Sequence, residues 1–201
     1  MKKMTILYDV GKNIYVNVTN RCPCSCTFCI RNEQEGVYGS DSLWLEHEPS
    51  FDEVKAELDK KDFSQYKEVV FCGYGEPTER IDFVMELCDY IKSKSDIKIR
   101  INTNGLANLI HGCDKTPILK GRVDILSISL NAPTSEEYME VSRPIFKEKA
   151  FPAILEFAKK AKEYVPKVMF SVVDCIGEEK VARSKELADQ VGVKLRVRKF
   201  E

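Results

Sequence analysis

The sequence lacks any apolar run approaching the roughly 18 residues that a membrane-spanning helix needs. It also lacks an excess of either charge: 31 Lys and Arg stand against 32 Asp and Glu, a formal net charge of −1. Such a chain is not drawn as a whole to nucleic acid or to a membrane surface, although a local basic patch is compatible with it. There is no internal repeat, no low-complexity tract and no Pro/Gly/Ser-rich linker, so residues 1–201 are expected to form one domain. The basic start, Lys2 and Lys3, is followed by Asp9, Lys12 and Asn13 before a secretory core could form, and a cytoplasmic location is expected. Eight cysteines are too few for a disulfide scaffold. What is present, 43% hydrophobic and 31% charged residues, is the balance of a globular chain with a sizeable core.

Short β-branched runs alternate with helical periods. Residues 13–19, 67–73, 97–102, 123–131, 167–175 and 193–200 read as six strands. Between them, Ser50 and Glu53 form a capping box ahead of a helix with Phe51, Val54 and Leu58 on one face. Ile81, Val84, Met85, Cys88 and Ile91 make a second apolar stripe, and Thr134 with Glu137 caps a helix starting near Ser135. Pro152 starts a further helix that Pro166 stops. The last runs from about Glu178 to Gln190, with Gly192 beyond it for a left-handed cap. Strands alternating with helices imply right-handed βαβ units and a parallel sheet. Six units fall short of the eight of a complete barrel, which takes about 250 residues. The expected fold is therefore α/β, an incomplete (βα)6 TIM-like barrel open on one side, with its ligands at the carboxyl ends of the strands.

Four of the cysteines crowd into Cys22-Pro23-Cys24-Ser25-Cys26-Thr27-Phe28-Cys29, directly after the first strand. In a reducing compartment clustered thiols read as metal ligands before disulfides. Cys22, Cys26 and Cys29 are spaced C-x3-C-x2-C, and three thiolates can hold three irons of a [4Fe–4S] cluster and leave the fourth open to a ligand. A structural zinc site, with Cys24 as fourth ligand, or plain thiols are the blander alternatives.

C-x3-C-x-aromatic-C after the first strand resembles the cluster loop of the radical S-adenosylmethionine (SAM) superfamily. Gly73-Tyr74-Gly75-Glu76-Pro77 after the second strand resembles its G-G-E-P motif with one residue inserted, and Asn102-Thr103-Asn104-Gly105 resembles its T-N-G segment. The resemblance covers essentially the whole chain. Its length and its Cys-Pro-Cys run look most like the small radical SAM proteins associated with TatD-family nucleases. The resemblance implies that Cys22, Cys26 and Cys29 hold a [4Fe–4S] cluster and that SAM is bound by Phe28, Gly73, Gly75, Glu76, Asn102 and Asn104. Ser129, Asn131 and Asp174, at the ends of the fourth and fifth strands, join this set. Phe28 would pack beside the adenine. The two glycines would let backbone approach the methionyl end. Glu76 would take its ammonium in a charge-assisted hydrogen bond.

The implied activity is reductive cleavage of SAM to a 5′-deoxyadenosyl radical that abstracts hydrogen from a substrate, with a flavodoxin or ferredoxin as reductant. An oxidoreductase or lyase follows. A protein loop or a nucleotide are candidate substrates, since an open barrel side admits large molecules. Within the class, a glycyl-radical-enzyme activase and a deazapurine-forming enzyme are alternatives, and a noncatalytic Fe–S or zinc binding module is the alternative of another class. No second cysteine group follows the sixth strand, so no auxiliary cluster domain is indicated. Cys24 is read as a noncatalytic thiol, Cys88 as core, and Cys72 and Cys175 as core residues near the site. His47 and His111 are read as surface-loop residues and Asp174 has helix capping as its plain alternative. Segment 32–50, with Trp44, His47 and Glu48, is a candidate lid. Arg143 has a ligand carboxylate or a neighbouring acidic side chain as candidate partners.

Overall fold

The computed structural model describes residues 4–37 and 39–199. The basic start at Lys2 and Lys3 and the end of the last expected strand at Phe200 lie outside them, as does Tyr38 of segment 32–50. Among the described residues, seven strands form one sheet in chain order: β1 (Leu7–Val10), β2 (Asn13–Val16), β3 (Glu68–Phe71), β4 (Lys98–Thr103), β5 (Ile125–Ser129), β6 (Lys167–Val173) and β7 (Lys194–Arg198). Strands β2 to β7 pair in parallel, as expected. The expectation of six strands is corrected by β1, which pairs antiparallel with β2. It joins β2 through Gly11 and Lys12, with Gly11 at φ +58°, as a two-residue hairpin with glycine at its first central position requires. At four residues β1 was too short to stand out as a strand by itself.

The helices are α1 (Phe51–Leu58), α2 (Ile81–Lys94), α3 (Ala107–His111), α4 (Ser135–Ser142), α5 (Ala150–Ala161) and α6 (Glu178–Val191). Both reciprocal hydrogen bonds of the Ser50–Glu53 capping box form, and Thr134 Oγ1 accepts from the Glu137 amide. Helix α5 starts two residues before Pro152, because a short 3-10 turn at Lys147–Lys149 leads straight into it. Pro152 is tolerated there since the first-turn amides of a helix have no partner anyway. The cap of α6 is Gly177 at φ +91°, not Asp174, which instead opens a 3-10 turn. Gly192 takes the left-handed C-terminal position at φ +76°.

Residues in register point to one face of a sheet, and their chain neighbours to the other. On the helix side lie Ile14, Val69, Ile99, Ile101, Leu126 and Phe170, all fully buried under the helices. The opposite, concave side carries Tyr15, Arg100, Asn102, Ser127 and Ser171. Most strands also end earlier than their sequence pattern: residues 17–19, 72–73 and 130–131 leave the ladder after β2, β3 and β5. Those released segments build the site.

Candidate cluster and cofactor site

The cysteine loop follows β2 without a helix of its own, and its shape comes from neighbours. Its backbone is stitched to the end of α4: the amides of Ser25 and Thr27 donate to the carbonyls of Ser142 and Val141 at 3.1 and 2.8 Å. Cys24 forms an antiparallel bridge with Pro144, and the Ile145 amide donates to the Pro23 carbonyl at 2.9 Å. Arg143, at φ +45°, is exposed and makes no ion pair among the described residues. Arg31 ties the loop to the turn after β3 by donating to the carbonyls of Tyr74 (3.4 Å) and Cys24 (3.3 Å).

Within this frame Cys22, Cys26 and Cys29 are half-buried, whereas Cys24 is 4% exposed. The Cys24 sulfur is turned inward, 3.8 Å from the Tyr138 hydroxyl and 3.9 Å from the Asn104 side-chain amide that donates to it. Hydrogen bonding with the neighbouring thiols of Cys22 and Cys26 is the main cause that pushes the Cys24 pKa up. The same hydrogen bond is the main reason that the Cys22 pKa falls below the ordinary thiol value. It likewise brings Cys26 down to about 7. Burial raises Cys29. Two of the three spaced cysteines thus ionise more readily than an ordinary thiol, toward the form that metal ligation requires, and Cys24 less readily.

The turn after β3 is shaped by the chain's own packing. A Cβ on Gly73 would lie 2.0 Å from Asn17 Oδ1, and one on Gly75 would lie 2.2 Å from the Thr19 carbonyl oxygen. Glycine is required at both positions for these contacts alone. Tyr74, inserted between them, is buried and packs with Tyr8, Val37 and Leu43 in a small second core. Its hydroxyl donates to the Gln34 carbonyl, and its ring meets Trp44 edge-on at 5.3 Å. It therefore anchors segment 32–50, whose Leu43 and Leu45 carbonyls also accept from Asn17 and Asn20. Sequence reading passed over Tyr74, although its placement inside a glycine motif was a visible signal.

Glu76 is 4% exposed, and four donors converge on its carboxylate. The Thr78 amide and hydroxyl and the Thr103 hydroxyl reach Oε1 at 3.0, 2.7 and 2.7 Å, and the Asn104 amide reaches Oε2 at 2.6 Å. Burial holds its carboxyl above the usual range despite these bonds. The carboxylate thus joins the β3 turn to the end of β4, and Thr78 and Thr103 are site residues that the motif did not flag.

Asn102 and Ser129 are half-buried on the concave face. Asn131 takes a left-handed conformation, φ +63°, and its side-chain amide donates to Ser142 Oγ at 3.0 Å. The Oδ1 atoms of Asn102 and Asn131 are buried without a hydrogen-bond partner. A cavity of about 300 Å³ is lined by Phe28, Asn131, Val141, Cys175 and Lys180 among others. It brings Phe28 and Asn131 together; exposed Asp174 adjoins Cys175 at its edge. Cys175 is exposed and Cys72 half-buried, so the core reading fails for Cys175 and holds only partly for Cys72. Cys88 is fully buried. His47 is exposed and pairs with Glu53 at 2.9 Å, whereas His111 is not on a loop: it ends α3 and meets the Thr78 carbonyl at 2.8 Å.

Residues 16–189 match the family model of the radical SAM superfamily. The chain belongs to that superfamily. Its cofactors are a [4Fe–4S] cluster and S-adenosylmethionine. The solved structure of methylornithine synthase (PylB) is similar with a TM-score of 0.62 at 15% identity, over 94% of this chain and 53% of that one. The FeFe-hydrogenase maturase HydG from Carboxydothermus hydrogenoformans gives 0.64 at 18% identity, over 94% and 44%. Native anSMEcpe with bound AdoMet gives 0.60 at 18% identity, over 93% and 50%. This radical SAM chain therefore spans about half the length of these structures, and at such identities the likeness is one of fold. No curated protein matches the sequence.

The residues present fit both radical SAM cofactors. Three half-buried thiols on one loop, with the fourth engaged inward, are the number and kind of donors that a cluster with one open iron would need. Two of the orphaned amide oxygens, Asn102 Oδ1 and Asn131 Oδ1, could each accept from a polar ligand.

Proposed function

We propose that the chain is a radical SAM enzyme, most similar to the small TatD-associated members in its length and its Cys-Pro-Cys run. The observation that carries this reading is the division of labour in the cysteine loop: Cys22, Cys26 and Cys29 face outward in part, and Cys24 is buried as their proton-bearing neighbour. Bound there, the cluster and SAM would supply hydrogen abstraction by a 5′-deoxyadenosyl radical.

The chain's own residues do the positioning. Cys22, Cys26 and Cys29 present thiolates for three irons. Glu76 holds the turn after β3 against Thr103 and Asn104, so that Asn104 and the Gly75 backbone keep a fixed geometry. Asn102 and Asn131 offer their free oxygens to the cofactor's hydroxyl or ammonium groups. Phe28 closes the apolar side of the cavity beside Val141. Segment 32–50, anchored on Tyr74, covers the substrate side with Trp44 at its rim. A flavodoxin or ferredoxin is the electron donor we propose.

The test is anaerobic reconstitution, metal and sulfide counting, then addition of dithionite and SAM. About four irons per chain and formation of 5′-deoxyadenosine are expected. Zinc in place of iron, or a reduced cluster that never cleaves SAM, would overturn the reading in favour of a metal-binding module.

A further inference from the structure

Strand β7 alternates Lys194-Leu195-Arg196-Val197-Arg198. Leu195 packs on the main core, so the three basic residues take the other, concave side. Register agrees: Arg196 pairs with Ser171, which pairs with Ser129, and Lys194 pairs with Met169 opposite Ser127. Lys194, Arg196 and Arg198 are exposed and make no ion pair or side-chain hydrogen bond to any described residue.

Across the sheet, Arg100 on β4 reaches the same face and is only 8% exposed. One terminal nitrogen lies 3.2 Å from Glu68 and 3.4 Å from the Tyr15 hydroxyl, yet its Nε is buried with no partner at all. A buried guanidinium N–H without an acceptor is costly, and an acceptor from outside the chain would relieve it. Arg100 and the β7 stripe lie on one face of the sheet, with β5 and β6 between them. Arg100 and Arg196 both pull against the burial that raises the Tyr15 pKa, and Arg100 and Arg198 do the same at Cys72. Glu68 answers Arg100, and nothing described answers the β7 stripe.

We propose that this concave face binds the phosphoryl group of a small phosphorylated substrate, between Arg100 on one wall and Arg196 and Arg198 on the other. The inference rests on the proposed radical SAM reading only in placing substrate on this side of the sheet. Cations on alternate residues stand about 6.6 Å apart along a strand, and guanidinium forks match phosphate oxygens bidentately. A single carboxylate would occupy one fork and leave the remaining cations unmatched.

The experiment is calorimetric titration of the reconstituted chain with phenyl phosphate, phthalate and a short single-stranded oligothymidylate. Sub-millimolar binding of phenyl phosphate is expected, weakened tenfold or more in the R196Q/R198Q variant and only partly restored in R196K/R198K, which keeps the charges but not the forks. Both positions are exposed, and a thermal melt checks that the variants fold. Absent binding, or equal binding by the glutamine variant, would overturn the proposal. So would tighter binding of phthalate, which assigns the site to carboxylates, or of the oligonucleotide, which assigns it to nucleic acid. No turnover is read. Failure to form 5′-deoxyadenosine would therefore sink the enzyme reading while leaving the binding result intact, and loss of binding would leave SAM cleavage untouched as evidence.

Discussion

On the helix side of the sheet, Val69, Ile99, Leu126 and Phe170 are fully buried and each could be exchanged for another apolar residue of similar size without altering the chemistry. One residue away on the same strands, Arg100, Asn102, Ser127 and Ser171 face the concave side, where hydrogen-bonding capacity replaces volume as the selected property. The helix side is held by non-directional burial, which tolerates conservative change and punishes cavities. The concave side leaves Arg100 Nε and Asn102 Oδ1 without partners, a cost that stability alone would not select. Among the described residues of these strands, the unsatisfied buried polar atoms are those of Arg100 and Asn102 on β4, and both belong to the concave face.

The comparison breaks most visibly at the cysteine loop. Replacing Cys22, Cys26 or Cys29 with Ala should abolish iron binding and SAM cleavage, while the apo chain's melting temperature moves little, as iron analysis and circular dichroism will check. Adjacent residues on β5 sharpen the contrast between faces. Ile128→Ala removes a fully buried helix-side chain and should cost about 2–5 kcal/mol in urea unfolding. Ser129→Ala, half-buried on the concave side, should cost about 0.5 kcal/mol or less and act instead on SAM affinity.

Glu76→Gln lies between these cases. The amide offers a single acceptor oxygen to four donors, and its NH2 would oppose either Thr103 or the Asn104 N–H. A loss of about 1–3 kcal/mol is expected, with reduced SAM cleavage in the fraction that folds. The smallest effect concerns Cys24→Ala, which should leave iron content and SAM cleavage largely intact. It removes the hydrogen bond that chiefly lowers Cys26, so the Cys26 pKa should rise from about 7 toward the ordinary thiol value. In the apo chain, the midpoint of Cys26 alkylation against pH should then shift upward, read by mass spectrometry. An unchanged midpoint would show that Cys24 is not the donor.

Much of this architecture was legible in the chain. The helix-side rows are visible because β-branched runs are long enough to register as strands, and Ser50–Glu53 and Thr134–Glu137 announce their helices through local hydrogen bonds that need no tertiary partner. The cysteine spacing is equally local. Strand β1 escaped because four residues carry too little pattern, although Gly11 marked its turn. The β7 basic stripe was visible as an alternation, but alternation alone does not say which side of a sheet is concave.

By itself the sequence determined most of the strands and helices, though not β1 or α3, which loop would gather thiols, and that the sheet would be mainly parallel, because those depend on periodicity and spacing within short windows. Only tertiary structure decided that Cys24 turns inward onto Tyr138 and that Glu76 is shared by Thr78, Thr103 and Asn104. It likewise decided that Gly73 and Gly75 yield to Asn17 and Thr19, and that Arg100 shares a face with Arg196. Each of these joins residues distant in the chain, and their meeting is set by how the sheet curls and by what packs behind it.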